Sequence, residues 1–201
     1  MMDMIDLPDG YYGLPAGKLL TVVTYLEMTT RPPARAVPDQ PELSLVRHKA
    51  PDLAWYRDLF RKVGTDWLWF SRLLLSDDQL RAAITNPAAH IYSVRKGGED
   101  LGLLELDFTD PKSVELSYFG LHSSLIGKGT GRWLMAQAID LAFAAPIDRF
   151  FVHTCTFDSP DALPFYQRSG FAPYQRAVEV ITDPRTTGAL PATAAPHIPL
   201  L

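Results

Sequence analysis

The stretch Leu121-His122-Ser123-Ser124-Leu125-Ile126-Gly127-Lys128-Gly129-Thr130-Gly131-Arg132 sets three glycines at alternate positions ahead of a long helix-forming segment. Without a Cβ, such a loop lets backbone amides approach a ligand closely. A helix start behind it adds unpaired N–H groups and the positive end of the peptide dipoles. Together these predict an anion site suited to phosphate or pyrophosphate. The plainer alternative is a glycine-rich connection with no ligand. Spacing excludes two other phosphate motifs. Lys128 is followed by Gly129 instead of Ser or Thr, so the loop is no Walker sequence. Leu134 stands where a dinucleotide fingerprint needs its last glycine.

The remaining reactive side chains are less patterned. His48, His90, His122, His153 and His197 include no pair spaced three or four apart, so no metal site is expected. His153, flanked by Phe151, Val152 and Thr154, reads as a hydrogen-bonded structural histidine in preference to a base, and Cys155 as a small buried residue. No Gly-x-Ser-x-Gly or His-Glu-x-x-His occurs, which removes the common hydrolase motifs.

The elements that must position these residues follow from periodicity. Strands are predicted at 43–47, 91–95, 101–108, 113–121, 149–156 and 174–182, the second and third joined by a hairpin through Gly97 and Gly98. Helices are predicted at 51–63, with Pro51 in its first turn, and from Ser76 with Gln79 completing a capping box and a stop before Pro87. A helix of about 17 residues should run from about Gly129 to near Pro146, and a short one over 161–168 should end at Gly170. Strands paired by hairpins, then helices alternating with strands, predict an α/β (α+β) fold: a mixed, largely antiparallel central sheet flanked by helices. Strict alternation along 113–121 puts Glu115, Ser117 and Phe119 on one face, and Val114, Leu116 and Tyr118 on the other.

The order strand, Gly-Lys-Gly-Thr-Gly loop, long helix, strand and short helix closing on Tyr166-Gln167-Arg168-Ser169-Gly170-Phe171 resembles the GNAT superfamily of acyl-CoA-dependent N-acetyltransferases. The family signature is Gln or Arg, two residues, Gly, one residue, then Gly or Ala. It maps onto Ile126, Gly127, Lys128, Gly129, Thr130 and Gly131, with Ile126 departing at the first position. The likeness spans about residues 43–182. It implies acetyl-CoA as co-substrate, its pyrophosphate on the amides of this loop and Arg132, with further contacts from Phe119, Gly120 and Leu121. The family's customary asparagine is missing, since Asn86 is the chain's only one; Asp158 or Ser159 stands in its region. No metal is implied.

The resemblance further implies acyl transfer to a small-molecule primary amine by direct attack in a ternary complex. Tyr166 is then the acid that protonates the departing thiolate, against the plainer reading of a tyrosine packed beside Phe165 and Phe171. Glu115 is the candidate base, because an ammonium has no lone pair; Glu105 and Asp107 compete for that role. The aromatic run Trp67-Leu68-Trp69-Phe70, with Asp66 and Arg72, falls where relatives cover the acceptor groove, although core packing explains Trp67 and Phe70 equally well. A non-catalytic acyl-CoA-binding or sensing module is the alternative function.

Composition narrows the class. The chain has 201 residues, 47% apolar and 21% charged, with 19 basic and 23 acidic residues for a net charge of −4. That is a soluble globular composition, and the absence of a basic excess argues against nucleic acid as a partner. The start carries Asp3, Asp6 and Asp9 in place of a basic n-region, and no apolar run approaches the ~20 residues of a membrane span. With the single Cys155, a cytoplasmic location is expected. Of 17 prolines, seven fall at or before Pro51 and four at or after Pro184. This divides the chain into an extension over 1–42, a catalytic domain over 43–183 and a tail over 184–201 that is draped or disordered. Within the extension, 19–28 reads as a spare strand, expected to pair in the domain's own sheet beside 174–182 with 31–41 as crossover; pairing with a second copy, giving a homodimer, is the alternative.

Overall fold

Residues 6–201 are described by a computed structural model; the Asp3 end of the acidic start lies outside them. Seven strands form one sheet: β1 (Lys18–Met28), β2 (Leu43–His48), β3 (Ala89–Lys96), β4 (Glu99–Asp110), β5 (Ser113–Leu121), β6 (Arg149–Cys155) and β7 (Ala172–Thr182). Their spatial order is β2-β3-β4-β5-β6-β1-β7, and every ladder is antiparallel except β5–β6. The helices are α1 (Leu53–Gly64), α2 (Asp77–Ile84), α3 (Thr130–Ala142) and α4 (Ala162–Ser169). Tyr56, Phe60, Leu80 and Ile84 of α1 and α2 bury one sheet face with Ile91 and Leu103. Leu134, Met135 and Ala138 of α3 and Tyr166 of α4 bury the other, with Leu26, Leu104, Leu106 and Phe150.

Local chemistry explains most boundaries. The Ser76–Gln79 capping box forms as its spacing predicts. Gly97 and Gly98, at φ +57° and +86°, make the two-residue hairpin turn between β3 and β4. Pro51, however, precedes α1: Asp52 is the cap, its Oδ1 accepting from the amides of Ala54 at 2.9 Å and Trp55 at 3.0 Å. A carboxylate that satisfies two orphan donors outweighs proline's preference for the first turn. Helix α3 has 13 residues and ends at Ala142 with Phe143 as its cap, three residues short of Pro146.

The largest departure from simple alternation lies in β5. Leu106 pairs with Leu116 but Glu105 pairs with Tyr118, so Ser117 is an extra residue, a β-bulge. Opposed residues share a face, so Glu115, Tyr118 and Gly120 face α1 while Leu116, Phe119 and Leu121 face α3 and α4. Glu115 and Phe119 therefore lie on opposite faces, contrary to the strict period.

Strand β1 sits inside the sheet, paired along β6 from Val23 to Met28 and along β7 from Lys18 to Glu27. The proline-rich residues after it cross the α3–α4 side as a strap. Arg31 pairs with Asp140 at 2.5 Å, the guanidinium of Arg35 donates to the Arg168 carbonyl, and Gln40 Nε2 donates to the Lys128 carbonyl at 2.9 Å. The tail after β7 is ordered. Buried Arg185 pairs with buried Asp183 at 2.7 Å and donates to the carbonyls of Ala194 at 3.2 Å and Ile198 at 2.8 Å. A guanidinium has donors enough to gather a chain that forms no regular element. Leu190, Ala194 and Ala195 thereby close over Leu68, Phe157 and Ile181.

Leu26, fully buried on β1, fastens the inserted strand to the core under α3 and α4. Leu26→Ala is expected to cost about 2–5 kcal/mol in chemical denaturation. A loss under about 0.5 kcal/mol, the scale of a surface change, would show that β1 contributes little to the core.

Candidate active site

Strands β5 and β6 pair only from Ser113 with Arg149 to Glu115 with Phe151, and then part. A cleft of about 870 Å³ occupies the opening, walled by Leu116 to Leu121 on one side and by Val152, His153 and Cys155 on the other. Because the strands separate, the cleft reaches both sheet faces. The glycine loop, Phe119 and Tyr166 line it on the α3–α4 side; Glu115, Tyr118 and His153 line it on the α1 side.

At the loop, Gly127 and Gly129 hold φ near +80°, a left-handed conformation that side chains disfavour. The amides from Gly127 to Arg132 have no hydrogen-bond partner among the described residues, whereas Ile126 N–H before them and Trp133 N–H after them are paired. These run of unpaired donors and the helix dipole of α3 fit a pyrophosphate. Gln40 pins the Lys128 carbonyl to the strap. In a trans peptide the following N–H, that of Gly129, then points the opposite way. The strap also explains why position 129 has no side chain: a Cβ there would meet Pro38 Cγ at 2.6 Å.

Of the residues expected at the cofactor, Phe119, Gly120, Leu121, Ile126, Gly127, Gly129, Gly131, Arg132, Asp158 and Ser159 all line the cleft. Lys128 and Thr130 do not. Lys128 Nζ donates to the Ser124 carbonyl at 2.8 Å, and Thr130 is buried, so their side chains belong to the loop's own structure. Ile126 is 57% exposed, a large apolar side chain at the cleft's rim. Asp158 is held within the fold: Oδ2 accepts from Thr154 Oγ1 at 2.7 Å and the Cys155 amide at 2.9 Å, closing the end of β6.

Tyr166 packs edge-on against Phe119, Phe165 and Phe171, and its hydroxyl has no partner among the described residues. Burial, with the Asp158 charge nearby, pushes its pKa up, so the phenol keeps its proton. Across the opening, Glu115 Oε1 lies 3.3 Å from His153 Nδ1. His153 thus meets a cleft carboxylate and stands in the cleft wall, about half exposed. Nothing in its spacing signals this, since Glu115 is on another strand.

The two competing carboxylates differ in accessibility. Glu105 is buried, with one oxygen on the Arg72 guanidinium and the other accepting from Tyr56 Oη at 2.6 Å. Burial raises its pKa, against the pull of Arg72. Asp107 lines the cleft and caps the following turn through the Thr109 amide at 2.7 Å. Arg72 also lies over the Tyr118 ring, and its charge is matched by Glu105. In the aromatic run, Trp67 and Phe70 line the cleft, and Trp69 packs on Phe60 and Tyr118 at the base of α1.

A sheet parted beside a glycine loop at a helix start makes a cleft with an anion-binding end. The sequence profile of the Acetyltransferase (GNAT) family matches residues 53–171, more than half of the chain, and the chain belongs to that family. No curated protein matches it by sequence. Among solved structures it is similar to a GCN5-related N-acetyltransferase from Sphaerobacter thermophilus, at 12% identity and TM-score 0.61 over 81% of this chain and 51% of that one. It is also similar to a GNAT family acetyltransferase from Elizabethkingia anophelis with acetyl-CoA bound, at 18% identity and TM-score 0.52 over 68% and 80% of the two chains. An aminoglycoside acetyltransferase from an uncultured soil metagenomic sample matches at 16% identity and TM-score 0.53 over 64% and 88%. These likenesses establish the fold, and the chain spans about half the length of the Sphaerobacter protein. Among the described residues, no group of three or more His, Cys, Asp or Glu is placed to hold a metal, and no helix is long and apolar enough to cross a membrane.

The left-handed backbone and the Pro38 contact make Gly129→Val cost about 1–3 kcal/mol of local strain. A loop that shifts to relieve this strain has to regain it on binding, and the same energy then appears as a loss of acetyl-CoA affinity of about tenfold or more. Gly131→Ala, whose Cβ would meet Phe165 at an ordinary 3.7 Å, is expected to bind as the native chain does. Calorimetric titration of both variants checks the pair, and equal affinities would remove the loop from the cofactor site.

Proposed function

We propose that this protein transfers an acetyl or short acyl group from acyl-CoA to a primary amine, both substrates meeting in one ternary complex. The observation that carries this reading is the run of unpaired amides from Gly127 to Arg132 opening onto a cleft that crosses the sheet. The amides and Arg132 hold the pyrophosphate. The unpaired edge of β5 between Leu116 and Leu121 lies along the path from the loop toward the opening and offers backbone groups to the arm of the co-substrate. Acyl-CoA supplies an activated thioester.

The residues on either side of the opening then divide the proton work. Tyr166, on the α3–α4 side, donates to the departing sulfur. The carboxylate of Glu115, on the α1 side, belongs to the group that takes the proton from the amine. Asp107, Glu115 and Glu179 line the α1-side end, while the guanidinium of Arg72 is matched by Glu105. Negative charge there favours a cationic small-molecule amine, and Trp67 and Phe70 supply apolar wall for its carbon skeleton. No activated nucleophile competes with direct attack. Burial raises the pKa of Cys155, and a neutral thiol is a poor acyl carrier.

Release of free thiol from acetyl-CoA with a panel of mono-, di- and polyamines tests the reading. Binding without release would make the chain an acyl-CoA-binding module instead. Tyr166→Phe is expected to lower turnover by about 10²-fold or more, with acetyl-CoA affinity unchanged. Full turnover in that variant would show that water protonates the sulfur.

A further inference from the structure

Neighbouring strands bring ionisable groups together on the α1 side of the opening, and Glu115 and His153 are in contact across it. Glu115 is the last residue of β5 paired with β6, opposite Phe151. His153 follows two residues later on the same face, where β5 no longer accompanies β6. Its ring leans back so that Nδ1 lies 3.3 Å from Glu115 Oε1. From this geometry we propose that His153 is the catalytic base that takes the proton of the incoming ammonium, and that Glu115 is its positioning residue.

The inference rests on the acyl-transfer reading and reassigns the base within it. A carboxylate at Nδ1 fixes the hydrogen there, so Nε2 carries the lone pair. Nε2 has no partner among the described residues, and His153 lines the cleft with 45% of its side chain exposed. An imidazole is on the order of a hundredfold stronger base than a carboxylate. It reaches the substrate while Glu115 stays bound behind it.

The surroundings favour the imidazolium that forms. Glu115 faces the ring from β5, Asp158 from the end of β6, Glu179 from β7 and the Tyr25 ring, 5.5 Å away, from β1. The hydrogen bond to Glu115 is the largest influence and raises the histidine pKa against the opposing effect of burial. The protons balance. The ammonium gives one proton to Nε2, which returns it to solvent through the exposed side of the ring. A second leaves nitrogen to water in the cleft as the N–C bond forms, sulfur gains one from Tyr166 as the C–S bond breaks, and water returns one to the Tyr166 phenolate, so one proton is released per amide made.

The test is kcat/KM against pH for the native chain, Glu115→Gln and His153→Gln, with His153 titrated by NMR in the native chain and in Glu115→Gln. The native acid limb and the NMR titration should both fall above the ordinary histidine value of about 6.5. In Glu115→Gln both should move down toward it while turnover persists. His153→Gln should lose about 10²–10⁴-fold in kcat/KM and lose the limb, with acetyl-CoA affinity and melting temperature retained. Native-like kcat/KM in His153→Gln, or an acid limb that does not follow the NMR titration, overturns this inference alone. A native chain that binds acetyl-CoA but releases thiol with no amine overturns the acyl-transfer reading as well.

Discussion

A parallel pair of strands that holds for three residues and then separates is the constraint on which the rest of this structure depends. Beyond Glu115 and Phe151 the facing edges of β5 and β6 lack each other's hydrogen bonds, and backbone groups left without partners are costly unless solvent or a ligand meets them. The opening therefore has to be supported from outside. On one side β5 is held along its length by β4. On the other, β6 has so little ladder with β5 that its position rests on β1, which pairs with it from Val23 to Met28. Strand β1 in turn keeps β7 in the same sheet. The N-terminal strand thus supports the cleft wall that carries Val152, His153 and Cys155.

The same parting divides the cleft lining by face. A bulge at Ser117 turns Phe119 toward α4 and Tyr118 toward α1, so the residues lining β5 divide between the two ends of the cleft. Tyr166 waits in apolar packing on one face, a setting that keeps a phenol protonated. Glu115 and His153 stand on the other, partly open to solvent. Between them the interior is kept neutral by matching buried charge: Arg72 with Glu105, whose second oxygen is held by Tyr56. A buried carboxylate without such partners would cost several kcal/mol (roughly) or be protonated.

Support for the glycine loop comes from segments distant in sequence. Pro38 and Gln40 of the strap meet Gly129 and Lys128, and the tail gathered by Arg185 backs Leu68, Phe157 and Ile181, which line the cleft. Proline-rich and irregular segments can do this because restricted backbones lose little entropy on docking, and because one guanidinium satisfies several carbonyls.

What the sequence determined by itself was local. The capping box at Ser76 and Gln79, the Gly97-Gly98 turn, the helix behind Gly129 and the positions of the strands all depend on residues within a few positions of each other, and each is present in the fold. The glycine loop and Tyr166 were legible for the same reason, as short motifs flanking one helix each. The spare strand was legible as a strand, and the bareness of a sheet edge pointed to its partner β7. Its place between β6 and β7 came from the tertiary structure, as did the bulge that reversed the face of Phe119 and the ordering of the tail. The contact between His153 and Glu115 is of this kind. It joins residues 38 positions apart, on strands adjacent only because β5 and β6 pair briefly in parallel, and no period along one chain segment encodes a distance across two.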